Sequence, residues 1–235
     1  MLLAIEGIDA SGKATQASFL SNKIRDVGLS VATVSFPRYD ETHFSKLIAN
    51  YLNGEFGKLE NIPPHFPALL FALDRYESIN YLTNLVQAND VVIIDRYTSS
   101  NMAHQASKFE NVLRRGFIEW LDLVEHGLLK LPRAEITIFL DVPVKIASKL
   151  LYTKKRRSYT NSAADLHEEN IQYLEQCRDV YQYLATSNFG SKWFCIDIVD
   201  PDGNLYEPEY ISSAIWKKLA PYLVKTANSG CIPLL

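Results

Sequence analysis

The sequence predicts an α/β fold: a five-stranded parallel sheet with helices on both faces. Three observations carry that expectation. Five short runs rich in Val, Ile, Leu and Phe recur along the 235 residues: 2–6 (LLAIE), 31–36 (VATVSF), 91–95 (VVIID), 136–141 (ITIFLD) and 193–197 (WFCID). Each is nearly continuous in apolar residues, as expected of parallel strands covered on both faces. The segments between them are long enough for the crossover helices that parallel pairing requires. Several runs end on a carboxylate or run into a proline, at Glu6, Pro37, Asp95 and Asp141. That edge is where sheets of this kind bind their ligands.

Composition bounds the rest. Hydrophobic residues make up 47% of the chain and charged residues 22%, with a net charge of −3. This suits one globular domain, expected over 1–225, and no nucleic acid or membrane partner. The segment 226–235 reads as an irregular tail. Cys177, Cys195 and Cys231 are far apart and have no metal-ligand spacing, as in reduced thiols of a cytoplasmic protein. The first residues enter a strand at once and have no basic leader, and no apolar run approaches the roughly 20 residues needed to cross a bilayer. The stretch 154–164 (KKRRSYTNSAA) is basic and then small and polar. It reads either as a solvated run or as a mobile lid spanning about 152–165, closing over phosphates.

Between the first strand and the first helix lies EGIDASGKATQ, residues 6–16. A glycine-rich turn followed by Lys13 and a helix start is a phosphate loop, and the expected fold is therefore that of a P-loop NTPase. Backbone N–H groups around Gly7, Ala10, Ser11 and Gly12 can ring phosphate oxygens. The helix adds its positive end, and Lys13 adds a mobile charge. Ala14 stands where a hydroxyl normally reaches magnesium. Mg²⁺ keeps several waters, so phosphate oxygens and carboxylates elsewhere can hold it, and Thr15 still offers a hydroxyl to a phosphate. Asp9 is either a helix cap or a hydrogen-bond partner for a sugar hydroxyl of a second substrate.

Three further clusters follow. Phe36-Pro37-Arg38-Tyr39-Asp40 closes the second strand, so Arg38 is either a phosphate ligand or a surface arginine. Asp95-Arg96-Tyr97 closes the third. Asp95 fits a magnesium-water ligand and Arg96 a bidentate phosphate ligand; a structural ion pair is the other reading. Between them, 63–86 reads as helix, with Phe66, Leu69, Leu70, Leu73 and Tyr76 in one apolar stripe. Phe71 and Arg75, one turn apart, lie off that stripe. They suit either a planar base or a second packing face, such as a dimer contact with a snorkelling arginine.

Together, EGIDASGKATQ, FPRYD, LLFALDRYES, DRYTSSNMAHQ, FLDVP and the basic lid closely resemble thymidylate kinases, which phosphorylate dTMP with ATP. The resemblance runs from residue 2 to about 170, in the family's order. It implies that Lys13 and the loop amides hold ATP phosphates, and that Asp9 meets the dTMP 3′-hydroxyl. Arg38 and Arg96 would hold the dTMP phosphate, with Asp95 near Mg²⁺. Phe36 would belong to the dTMP site, Phe71 would stack on thymine, Arg75 would bond its O4 and Asn101 its other edge. Tyr97 and His104 would lie along the deoxyribose. Ala10 takes a place that is basic in some members, so the resemblance shifts the transition-state cation to Arg156 and Arg157, backed by Lys154 and Lys155. Asp165 and Glu168 would also face the site. A homodimer packed through long helices is implied, with 63–86 and 117–131 as candidate surfaces.

Phosphoryl transfer between two anions needs positioning and charge neutralisation more than covalent help. That accounts for cations converging from four segments. Three other readings fit part of the pattern: a kinase for another pyrimidine nucleotide, a non-catalytic P-loop nucleotide-binding protein, and a deoxynucleoside kinase on a related fold.

Overall fold

The computed structural model describes residues 1–58, 61–153 and 171–228. Its sheet has five strands in the order β2-β3-β1-β4-β5, every pair parallel. They are β1 (Leu2–Glu6), β2 (Val31–Ser35), β3 (Val91–Asp95), β4 (Ile136–Asp141) and β5 (Lys192–Asp197). The helices are α1 (Lys13–Asp26), α2 (His43–Leu52), α3 (His65–Glu77), α4 (Ile79–Ala88), α5 (Thr98–Ala106), α6 (Asn111–Asp122), α7 (Val144–Thr153), α8 (Ile171–Thr186) and α9 (Pro208–Asn228), with a π-helical turn at Leu123–Leu128. None of the described helices is long and apolar enough to cross a membrane. Lys154, Lys155, Arg156, Arg157, Asp165 and Glu168 lie outside the described residues.

The central strands are buried on both faces, and their side chains alternate between two cores. Leu3 and Ile5 of β1 join Leu20 and Ile24 of α1, Leu174 and Leu184 of α8 and Ile215 of α9. Leu2 and Ala4 face the other way, onto Leu82 of α4 with Val92 and Ile94 of β3. The edge strands depart from the expectation of cover on both faces. Residues of β2 are half-buried or exposed, and in β5 Trp193 and Ile196 alone are buried. Each has a hydrogen-bonded neighbour on one side only, so less of its surface is covered.

Local signals stop the elements where the site needs them. α1 ends on basic Lys23 and Arg25, which suit the negative end of its dipole. Gly28 then adopts φ 82°, and its N–H and that of Leu29 close back onto the carbonyls of Arg25 and Ile24. This reversal delivers the chain into β2. Residues 63–86, read as one helix, form two, and Ser78 separates α3 from α4.

The face of α3 that packs inward is also not the expected one. Phe66, Leu69 and Tyr76 are 45%, 39% and 47% exposed. The buried face carries Pro67, Ala68, Leu70, Ala72, Asp74 and Arg75. Small residues let α3 approach closely, and its two buried charges find partners inside. In the candidate surface at 117–131, Phe117, Ile118 and Leu121 are core residues, while Leu123 and Leu128 are exposed.

Gly7 is the tightest point of the loop after β1. At φ 148°, an added Cβ would meet Ser11 Oγ at 2.7 Å and the Leu140 carbonyl at 2.8 Å. Gly7→Ala is expected to cost about 2 kcal/mol of stability, read as a lower urea midpoint.

Candidate active site

The loop between β1 and α1 is built from unusual backbone. Gly7, Ala10 and Gly12 all have positive φ, Ala10 at 62°. The turn closes with Ser11 N–H donating to the Ile8 carbonyl. Lys13, the first residue of α1, reaches back to the carbonyls of Gly7 at 3.0 Å and Ile8 at 2.9 Å. Burial, and then the Arg96 charge, lower the Lys13 pKa to about 7, against the pull of Asp9, Asp95 and Glu6. Ala14 and Thr15 are exposed on the first turn of α1.

Beneath the loop lies a residue whose role the sequence did not disclose. Glu6 is fully buried, and burial raises its pKa. It accepts hydrogen bonds from the N–H groups of Tyr97 and Ser100 and from the hydroxyls of Ser100 and Tyr181. One carboxylate thereby fastens the end of β1 to the start of α5 and to α8. Nothing in the run LLAIE distinguishes this glutamate from an exposed strand ending.

At the end of β3, Arg96 adopts φ 65° and its N–H bonds the Ile5 carbonyl. This turns the side chain across the sheet edge, where Nη2 pairs with Asp9 Oδ1 and Nη1 approaches His104 Nε2 at 3.3 Å. Asp95 beside it has a buried Oδ1 with no hydrogen-bond partner among the described residues. A hard, unpaired carboxylate oxygen near Lys13 fits a magnesium ion or its water. Among the described residues no group of three His, Cys, Asp or Glu side chains is gathered to hold a metal. Such an ion would therefore take most of its ligands from phosphates and water.

Next to the loop opens a cavity of about 320 Å³. Of the residues expected at the acceptor nucleotide, Asp9, Phe36, Phe71, Arg75, Arg96, Tyr97, Asn101 and His104 all line it, with Asp95. Tyr39 and Gln105, which lie in quoted motifs but were given no role, line it too, as do Leu52 and Tyr173, which no motif covers. Arg38 is not among the lining residues. Its guanidinium carbon sits 3.9 Å from the Tyr81 ring centre, Nη1 bonds Ser78 Oγ, and Nη2 is 3.6 Å from Glu41. The cation–π contact and the two polar partners hold it on the outer side of the loop, away from the position the sequence implied.

The far end of the cavity rests on a buried ion pair. Arg75 is 2% exposed, the reverse of a snorkelling arginine. Its Nε and Nη2 bind Glu125 Oε2 and Oε1 at 2.7 and 2.6 Å. Asn101 Nδ2 donates to the same Glu125 and to the Ala68 carbonyl, both at 2.9 Å. Asn101 Oδ1 is left buried without a partner among the described residues. Glu125 comes from the π-helical turn, and such turns often occur at functional sites. Removing one member of a buried pair strands the other. Arg75→Leu is thus expected to lose about 3–5 kcal/mol in chemical denaturation, and adding Glu125→Leu to recover most of it.

A parallel sheet of this order, with a glycine-rich phosphate loop after its central strand, defines a P-loop NTPase, and the adjoining cavity offers room for a second ligand. Comparison with known proteins narrows the class. The thymidylate kinase family model matches residues 5–205. The thymidylate kinase of Mycobacterium tuberculosis is 34% identical over 202 residues, covering 86% of this chain and 94% of that one. A probable thymidylate kinase of Thermococcus onnurineus is 32% identical over 176 residues, covering 72% and 80%. The solved structure of thymidylate kinase from Candida albicans superposes with a TM-score of 0.70 at 23% identity, over 96% of this chain and 92% of that one. The chain belongs to the thymidylate kinase family.

Proposed function

We propose that the protein transfers the γ-phosphoryl group of ATP to dTMP, giving dTDP. One observation carries the reading: Asp9 belongs to both the phosphate loop and the cavity lining, and there it pairs with Arg96, which also lines the cavity. Lys13 and the amides of Gly7, Ala10, Ser11, Gly12, Ala14 and Thr15 serve the ATP phosphates. Arg96 holds the dTMP phosphate, joined by Arg38 once it leaves Tyr81, and Asp9 meets the 3′-hydroxyl. Phe36 and Phe71 flank the base. Arg75 pairs with Glu125 through Nε and Nη2, which leaves Nη1 to serve thymine O4. The unpartnered Asn101 Oδ1 is an acceptor suited to thymine N3–H. Tyr97 and His104 run along the deoxyribose.

The acceptor phosphate is already ionised at neutral pH, so no general base is required. The chain's contribution is to align two anions and neutralise their charge. Mg²⁺ would supply further charge neutralisation beside Asp95, and Arg156 or Arg157 would supply the transition-state cation. The exposed Phe66, Leu69 and Tyr76 of α3 support a homodimer through that face. The free thiols Cys177 and Cys195 support a cytoplasmic location.

A coupled ADP-release assay tests the reaction. dTMP is expected to be the best acceptor in a panel with dUMP, UMP, dCMP and thymidine. Lys13→Ala should lose roughly 100-fold or more. Ala14→Thr should change the rate by less than about threefold. ATP binding without dTMP-dependent ADP would end the kinase reading; a better acceptor than dTMP would end the substrate assignment.

Lys13 adds a pH signature. With its pKa lowered to about 7, the amine is charged below that pH and increasingly neutral above it. ATP phosphates favour the charged form, so binding takes up a proton and weakens as pH rises through that range. Calorimetry near pH 8 should give binding heats that depend on the buffer's ionisation enthalpy. Buffer-independent heats would contradict it.

A further inference from the structure

We infer that His104 is a positioning residue: it accepts a hydrogen bond from Arg96 and so fixes the plane of the phosphate-binding guanidinium. The tautomer follows from the donors around the ring. The Tyr173 hydroxyl lies 3.0 Å from the His104 carbonyl oxygen and 3.0 Å from His104 Nδ1. A carbonyl only accepts, so the tyrosine proton is assigned to it; the Cys177 thiol, 3.7 Å from Nδ1, gives its own proton to Ser107 Oγ at 3.3 Å. Nδ1 then carries the ring proton and donates it to the tyrosine oxygen. Nε2 is left as a bare lone pair, 3.3 Å from Arg96 Nη1, and an arginine nitrogen is always a donor. Burial, and then Arg96, push the His104 pKa down to about 3, in keeping with a neutral ring.

Arg96 is therefore gripped at both terminal nitrogens, Nη2 by Asp9 and Nη1 by His104. The two grips differ in charge. A second carboxylate at position 104 would outweigh the guanidinium and repel an incoming phosphate. An aromatic carbon ring would offer no acceptor. A neutral imidazole orients the cation and leaves its charge unchanged. Tyr173, reaching in from α8, selects the tautomer and has no need to touch the ligand itself.

The inference rests on the reading that Arg96 holds the dTMP phosphate, and its test separates the two. The measurements are steady-state kinetics with dTMP and ATP varied in turn, and calorimetric binding of dTMP against thymidine, which lacks the phosphate. His104→Phe is expected to raise the KM for dTMP about tenfold and leave kcat and the KM for ATP within about twofold. Thymidine affinity, which feels only the ring's contact with the deoxyribose, should fall by less than about threefold. His104→Gln, which keeps a neutral acceptor, should return the KM to within about threefold of the unmodified protein. Tyr173→Phe should show a smaller loss confined to dTMP. An unchanged KM for dTMP in His104→Phe, or an equal loss of thymidine and dTMP binding, would overturn the positioning role while the kinase reading stands. Absence of dTMP turnover by the unmodified protein would overturn both.

Discussion

The ion pair between Asp9 and Arg96 is the contact on which the site depends. Asp9 belongs to the loop after β1, and Arg96 to the turn after β3. The two strands are hydrogen-bonded neighbours at the centre of the sheet. Pairing the third residue beyond β1 with the first beyond β3 sets the distance between the phosphate loop and the acceptor cavity. Strained backbone surrounds the pair. Arg96 has positive φ, as does Ala10 beside Asp9, and backbone of this kind persists only where its surroundings over-determine it. Glu6 supplies that support from below, holding β1, α5 and α8 in one hydrogen-bonded knot.

The cavity illustrates how buried charge can serve recognition. Arg75 and Glu125 satisfy each other, and Asn101 completes the set, yet Asn101 Oδ1 and Asp95 Oδ1 remain without partners among the described residues. A buried acceptor left open is costly unless a ligand meets it. Both residues line the cavity.

Much of this was legible in the sequence because parallel strands and strand-end turns are local patterns. The five runs match the strands closely, ending β2 one residue late and starting β5 one residue late. FPRYD, the Phe71–Arg75 pair and DRY pointed to cavity residues because side chains at strand ends and one helical turn apart converge by geometry. What stayed hidden were long-range partners. Glu125 is 50 positions from Arg75, and its π-helical turn breaks the 3.6-residue rhythm that a periodicity reading assumes. The stripe on α3 misled because apolar count does not say which face is covered; the buried face is made of small residues and a satisfied charge pair. Arg38 was placed by motif, but its side chain rests on Tyr81, a preference set by α4 rather than by its own segment.

If Asp9 and Arg96 act as one unit, a double-mutant cycle on kcat/KM for dTMP will show it. Asp9→Ala and Arg96→Ala should each be severe, and the double variant should be little worse than the worse single one, a coupling of about 2 kcal/mol or more. Losses that simply add would mean that the two residues work independently and that the pair does not organise the site.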